Sequence, residues 1–143
     1  MEPDRPAPLQ RLCDAVNAHD LDAVVRCFTD TYRNETPAHP GRSFTGTPQV
    51  RRNWERIFAG LPDITARILA AVVDGDAIWS EWEMKGERPD GTPQALRGVI
   101  IFGTAGDRLG SARFYLEPVD SGVDGHDGAV GRLVAEHVAG SPT

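Results

Sequence analysis

The sequence predicts a single α+β domain in which helices pack on the concave face of a curved, cone-shaped antiparallel sheet. Apolar residues recur at helical spacing through the first half of the chain. The second half contains apolar, β-prone segments divided by short Gly/Asp turns. Helices first and neighbouring antiparallel strands second are typical of the α+β class.

Three helices are predicted in the first half. The first has one apolar stripe at i, i+3, i+4 and i+7 spacing, and Pro8 suits its first turn. Asp20 suits the N-cap of a second, short helix. A third helix is expected to start with Thr47 as its cap and Pro48 at its first position. The side chains expected inside are Leu9, Leu12, Cys13 and Val16 of the first helix and Val50, Trp54, Ile57, Phe58 and Leu61 of the third.

Five strands are predicted, at residues 31–36, 64–73, 77–86, 94–104 and 109–118. The turns between the last four are Asp-Gly-Asp at 74–76, Pro-Asp-Gly at 89–91 and Ala-Gly-Asp at 105–107. Glycine accepts positive φ there, and aspartate bonds its own backbone. We expect residues 1–7 to be disordered and residues 8–119 to form the domain. Residues 120–143 are predicted to form a linker and a short helix that Asp127 caps and Gly140 ends.

The composition fits one domain and argues against some classes of partner. The 143 residues suffice to bury a core, and 15 basic against 21 acidic residues give a net charge of −6. A nucleic-acid or membrane partner is therefore not expected. The N-terminus has no apolar signal-peptide core, and the longest apolar stretch, residues 68–73, is too short to cross a bilayer. We expect a cytoplasmic protein.

Neither a metal nor a cofactor is expected. No two histidines have metal-ligand spacing, and the sequence contains no Cys/His cluster and no phosphate-binding glycine motif. Cys13 and Cys27 fall among helical apolar positions, so we expect a buried, reduced pair.

A family resemblance adds to these expectations. Residues 12–22, LCDAVNAHDLD, resemble the opening VNAGDLD of ketosteroid-isomerase-like proteins. Residues 28–32 (FTDTY), Gly46, the helix with Trp54 and the turns at 74–76 and 106–109 continue the resemblance, which covers residues 9–119. The chain therefore resembles the SnoaL-like members of the nuclear transport factor 2-like superfamily. This resemblance implies a cone with helices in the concave face of the sheet, a pocket at its wide end and a homodimer.

The catalytic residues of two kinds of enzyme with this resemblance correspond to particular positions of the sequence. The Tyr and two Asp residues of ketosteroid isomerases fall on Leu12, Thr36 and Gly98. The Tyr/Asn pair with which limonene-epoxide hydrolase holds water matches Tyr32 and Asn34. The Arg and two Asp residues of that hydrolase fall on Trp82, Met84 and Arg113, so the resemblance implies neither set of acid and base.

Strand alternation predicts which side chains share the pocket face. If Arg113 lies opposite Ile100, then Tyr115 lies opposite Gly98 and Glu117 opposite Leu96. On the next pair of strands we expect Glu83 opposite Arg97 and Trp82 opposite Gly98. The predicted catalytic residues are Glu117, Arg113, Tyr32 and Asn34. The predicted substrate-binding residues are Trp82, Met84, Tyr115, Gly98, Ile100, Leu12, Val16, Trp54, Phe58 and Thr36.

Two classes of function fit this pocket. The first hypothesis is a cofactor-independent cyclase, isomerase or epoxide-opening enzyme that acts on an apolar oxygenated metabolite by general acid/base chemistry. Glu117 would be its acid or base and Arg113 would stabilise an oxyanion. The alternative is a hydrophobic-ligand binding module, or a structural dimer with a vestigial pocket. In either case we expect a homodimer through an outer apolar face formed by Trp79, Val99, Ile101, Phe114 and Leu116.

Overall fold

The computed structural model describes residues 5–120, 122 and 125–139. Its helices are α1 (Ala7–Asn17), α2 (Leu21–Arg26), α3 (Thr47–Gly60) and α4 (His126–Ala139), with a 3-10 turn at Pro40–Arg42. Its strands are β1 (Phe28–Glu35), β2 (Phe44–Thr45), β3 (Thr65–Asp74), β4 (Ala77–Glu87), β5 (Pro93–Ala105) and β6 (Arg108–Pro118). The predicted helices and strands are present, and β2 was not predicted. Helix α4 begins at His126, so the prediction that Asp127 caps it was wrong. The start of the chain through residue 4 and the predicted end of α4 at Gly140 lie outside the described residues.

The strands form one curved six-stranded sheet in the order β2-β1-β6-β5-β4-β3. Strands β3 to β6 form the predicted antiparallel meander. The sheet is not wholly antiparallel, because β1 and β6 run parallel. A parallel pair needs a crossover connection, and the chain makes one here through α3 and the meander before it returns beside β1.

Local sequence explains where the helices begin. The side chain of Asp20 accepts a hydrogen bond from Ala23 N at 3.0 Å, which is the predicted N-cap of α2. Helix α3 begins at Thr47 with proline in its first turn. Its N-cap is Gly46 at φ 89°, so the prediction that Thr47 caps this helix was wrong. A glycine fits there because side chains are disfavoured at positive φ.

The turn after α1 departs from the family pattern at one position. His19 occupies the place of the glycine in VNAGDLD and has φ 54°, a left-handed conformation that disfavours a side chain. Its Nε2 lies 2.7 Å from the carbonyl oxygen of Ile64, and its ring packs 5.5 Å from that of Phe58. These contacts join the turn to the start of β3 and offset the backbone strain.

The core lies between the helices and one face of the sheet, which we call the inner face. Alternation along β4 turns Ser80, Trp82 and Met84 to this face, where all are buried. The opposite, outer face carries Trp79 and Glu81, which are exposed. Among the described residues, both cysteines are free and buried as predicted, and no helix is long and apolar enough to cross a membrane.

Helix α4 lies apart from this core. Its side chains are exposed through residue 135, including Val130, Leu133 and Val134.

Candidate ligand-binding site

A cavity of about 280 Å³ lies between α3 and the inner face of the sheet. It is mostly apolar, and its polar side chains come from β1, from the loop after β1 and from α3. Its apolar lining is Phe28, Phe44, Val50, Trp54, Ile57, Ile64, Met84, Leu96, Phe114 and Leu116. Its polar lining is Tyr32, Asn34, Thr36, Arg42 and Asn53.

Strand alternation brings the polar residues of β1 into the cavity. Tyr32 and Asn34 are buried on the inner face, whereas Arg33 between them is exposed. The Tyr32 hydroxyl donates to Asn34 Oδ1 at 2.8 Å. Burial raises the pKa of Tyr32, so its hydroxyl keeps its proton at neutral pH and remains a donor. The structure thus brings together the two residues that the sequence paired.

No aspartate or glutamate lines this cavity in the part of the chain that the structure describes. General acid/base chemistry by a carboxyl group needs that group within hydrogen-bond reach of the substrate. The described residues also contain no group of three or more His, Cys, Asp or Glu placed to hold a metal ion. The cavity therefore offers hydrogen-bonding polar groups, one arginine and apolar surface.

The predicted placement of Arg113, Tyr115 and Glu117 in the pocket was wrong. Arg113 pairs with Ile101, Tyr115 with Val99 and Glu117 with Arg97, each one residue from the predicted register. All three therefore lie on the outer face, and all three are exposed, with Tyr115 at 43%. Their neighbours Phe114 and Leu116 line the cavity instead.

A β-bulge causes this shift. Thr104 pairs with Leu109, but Gly103 pairs with Ser111, so Gly110 is an extra residue on β6. One extra residue moves every later side chain to the opposite face. The inner row across these strands is therefore Trp82–Gly98–Leu116, in place of the predicted Trp82–Gly98–Tyr115. The β4–β5 part of the prediction is confirmed, including Glu83 opposite Arg97.

Several other predicted residues belong to the core and do not line the cavity. Trp82 is fully buried, and its Nε1 donates to Ser80 Oγ at 2.8 Å. Phe58 packs against Trp54 with ring centroids 5.5 Å apart. Leu12, Val16 and Ile100 are buried in the same core, and Gly98 has no side chain to offer. Thr36, Met84 and Trp54 line the cavity as predicted.

Sequence reasoning missed two polar residues of the cavity. Asn53 lies on α3 one turn before the inward-facing Ile57, so a polar residue flanking an apolar stripe was the available signal. Arg42 ends the 3-10 turn in the loop between β1 and β2, and no local pattern marks it. The same loop carries His39, whose Nε2 lies 3.0 Å from Glu117 Oε1 at the surface.

A curved six-stranded sheet with helices that enclose a cavity on its inner face defines the ketosteroid isomerase-like, or nuclear transport factor 2-like, class of fold. The family model described as a SnoaL-like domain matches residues 9–111. The chain therefore belongs to the SnoaL-like domain family. No curated protein matches the sequence significantly.

Solved structures resemble the chain at low identity and establish the fold alone. A Catenulispora acidiphila protein with a ketosteroid isomerase-like fold, in complex with trimethylamine, gives a TM-score of 0.69 at 20% identity, covering 78% of this chain and 87% of that one. A candidate polyketide cyclase from Sinorhizobium meliloti gives 0.63 at 23%, covering 80% and 96%. A Mycobacterium tuberculosis protein in complex with estradiol-17β-hemisuccinate gives 0.67 at 19%, covering 78% and 94%.

Proposed function

We propose that this protein binds a small, mainly apolar organic molecule in the cavity between α3 and the inner face. The observation that carries the proposal is the lining: ten apolar side chains and a few polar ones, with no carboxylate among them. Cavities of this kind bind ligands by apolar burial and fix their orientation with a few polar groups. Two structural relatives were crystallised with small molecules, estradiol-17β-hemisuccinate and trimethylamine, which supports this use of the fold.

The lining favours the binding-module hypothesis over carboxylate acid/base catalysis. Glu117, the predicted acid or base, lies on the outer face, and none of the described residues that line the cavity is a carboxylic acid. One observation favours a second candidate, which is an enzyme of the cyclase or isomerase kind. The Tyr32–Asn34 pair lies in the cavity and would polarise a substrate carbonyl by hydrogen bonding. In such an enzyme, Asn34→Ala would abolish turnover and leave most of the binding intact.

A titration with 2-acetylnaphthalene, a flat neutral ketone, tests the proposal. The matched variants are Trp54→Ala, which removes a ring from the cavity, and Trp79→Ala, which removes an exposed ring from the outer face. We expect Trp54→Ala to weaken binding by about 10-fold or more, since a buried aromatic contributes over 1.4 kcal/mol. Trp79→Ala should leave the affinity unchanged. Binding that is lost with Trp79→Ala and retained with Trp54→Ala would refute the proposal.

We also propose that the protein is a cytoplasmic homodimer that pairs through the outer face of the sheet. Trp79 and Tyr115 are 47% and 43% exposed there, next to Val72 at 66%. Exposed aromatic surface of this kind commonly marks a protein interface. The register moves Phe114 and Leu116 out of the predicted interface and Tyr115 into it.

A further inference from the structure

The two amides of the cavity lining, Asn34 and Asn53, each have an oxygen that already accepts a hydrogen bond and a nitrogen that donates none to the described residues. Arg52 Nη2 donates to Gln49 Oε1 at 2.6 Å, and Gln49 Nε2 donates to Asn53 Oδ1 at 2.7 Å. A guanidinium can only donate, so Arg52 fixes the orientation of the Gln49 amide. Gln49 in turn fixes the Asn53 amide. Asn53 therefore has its Nδ2 left for a ligand, because this nitrogen makes no hydrogen bond to any described residue.

The amide of Asn34 also has its oxygen hydrogen-bonded and its nitrogen unbonded among the described residues. Its Oδ1 accepts the Tyr32 hydroxyl proton at 2.8 Å, which leaves the amide Nδ2 as its available group. Asn34 is buried, and no fully buried side-chain nitrogen or oxygen of the described residues lacks a partner. The unbonded nitrogen must therefore reach open space. Asn34 lines this cavity and also the neighbouring pocket beside β1 and β2, and we assign the nitrogen to the cavity. Two residues of the cavity lining thus have an amide nitrogen, and not an oxygen, as their unbonded group.

Arg42, an exposed residue, adds a positive charge to the lining of the cavity. Its guanidinium makes no hydrogen bond or ion pair with the described residues. Glu117 is the carboxylate that contacts this loop, and it pairs with His39 at 3.0 Å. Arg42 is therefore available to an anion.

We infer that the ligand of this cavity is an apolar carboxylic acid, bound as its carboxylate between Arg42 and the amide nitrogens of Asn34 and Asn53. This inference rests on the proposed binding function and adds the chemical class of the ligand. A carboxylate supplies acceptors alone, as these donors require. A ligand that presents donors would leave the Asn34 and Asn53 nitrogens without acceptors, at a cost in affinity.

A set of three probes with one ring system tests the inference. These are 2-naphthoic acid, the neutral ketone 2-acetylnaphthalene and the cation 2-naphthylmethylamine. We expect the acid to bind at least about 10-fold more tightly than the ketone, because a hydrogen bond to a charged group is stronger than one to a neutral group. The amine should bind most weakly.

Two variants locate the preference. Arg42→Gln should reduce the acid/ketone affinity ratio by about 10-fold. Arg26→Gln makes the same charge change at an exposed position of α2 outside the cavity and should leave the ratio unchanged.

A third variant tests the Arg52–Gln49–Asn53 chain. In Gln49→Glu the new carboxylate accepts from Arg52 and from Asn53 Nδ2, so the Asn53 amide turns over and presents Oδ1 to the cavity. The ketone should then weaken relative to 2-naphthylmethanol, a neutral donor with the same ring. Both probes are uncharged, so an added negative charge alone would not change the ratio of their affinities. An unchanged ratio would therefore refute the positioning role of Gln49.

The outcomes separate the inference from the function on which it rests. If acid and ketone bind equally and Trp54→Ala weakens both, the cavity binds ligands but its preference for a carboxylate is refuted. If the acid preference survives Arg42→Gln, the assigned anion site is refuted. If neither probe binds, or if Trp54→Ala changes neither affinity, the proposed function fails as well.

Discussion

The two faces of the same sheet differ in how their polar groups are satisfied. On the inner face, Trp82 Nε1 donates to Ser80 Oγ at 2.8 Å, and Ser80 Oγ donates to the Ile100 carbonyl at 2.7 Å, so neutral groups pair with neutral groups. On the outer face, Glu83 is 7% exposed and contacts three cations. Its carboxylate lies 2.6 Å from Arg97, 3.2 Å from Arg67 and 3.5 Å from Lys85. The outer face thus carries paired charges, whereas no carboxylate of the described residues lines the cavity on the inner face.

The largest expected effect comes from placing a carboxylate on the inner face of β5. Gly98 has φ 151°, and a Cβ there would collide with the carbonyl oxygen of Tyr115. Gly98→Asp, which would restore a family acid, should lower the free energy of unfolding by about 3–5 kcal/mol or prevent folding. Gly103→Ala is the matched control, because its Cβ meets the Ser111 side chain, which can rotate. Equal urea midpoints for the two variants would contradict the claim that a side chain at position 98 collides with the backbone of β6.

The next effect concerns assembly through the outer face. Light scattering at micromolar concentration should give the mass of a dimer for the wild type and of a monomer for Trp79→Glu, because a carboxylate would be buried without a partner. Leu133→Glu places the same charge at an exposed apolar position of α4 and should leave the dimer intact. A monomeric wild type would refute the dimer.

A smaller effect concerns the charge cluster at Glu83. Burial raises the pKa of Glu83. The hydrogen bond from Arg97 and the charges of Lys85, Arg97 and Arg67 lower it by a larger amount, so the pKa of Glu83 is below its ordinary value. A carboxyl group with a lowered folded-state pKa stabilises the protein above its unfolded pKa, and this contribution is lost as the pH falls through the folded value.

Glu83→Gln should therefore destabilise the protein at pH 7, and its difference from the wild type should shrink as the pH falls toward 3. Urea unfolding at several pH values measures this difference. Glu81→Gln, at an exposed position on the same face of β4, should change stability little at any pH. A Glu83→Gln penalty that does not depend on pH would contradict the ionic account.

The smallest expected effect is at Arg113. Because Arg113 lies on the outer face opposite Ile101, Arg113→Gln should leave the affinity for 2-naphthoic acid unchanged. A loss as large as that expected for Arg42→Gln would return Arg113 to the cavity and contradict the observed register.

Two adjacent strand pairs explain how much of the site could be predicted. The register of β4 with β5 followed from the sequence because Glu83 opposite Arg97 is a favourable cross-strand pair and fixes the alignment. For β5 with β6, a regular hairpin would place Arg113 opposite Ile100, but the bulge at Gly110 shifts it to Ile101. A glycine beside small residues was the available signal for that bulge.

Burial of charge also favoured the observed alignment. The predicted register placed Arg113 and Glu117 under the helices and turned Phe114 and Leu116 outward, which buries charges and exposes apolar surface. The alternation of apolar and charged residues along β6 predicts the observed face, whereas the regular hairpin predicts the opposite one. The position of Arg42 depends on the path of the loop after β1, and the orientation of Asn53 depends on a side-chain hydrogen bond from Gln49. Strand alternation encodes neither.

A crystal structure of the protein with 2-naphthoic acid tests the central claim most directly, because it locates the ligand and its carboxylate together. We predict density for the rings between Trp54 and Leu116, with the carboxylate within hydrogen-bond distance of Arg42 and of the amide nitrogens of Asn34 or Asn53. Density for the probe on the outer face beside Trp79, with the cavity empty, would contradict the account.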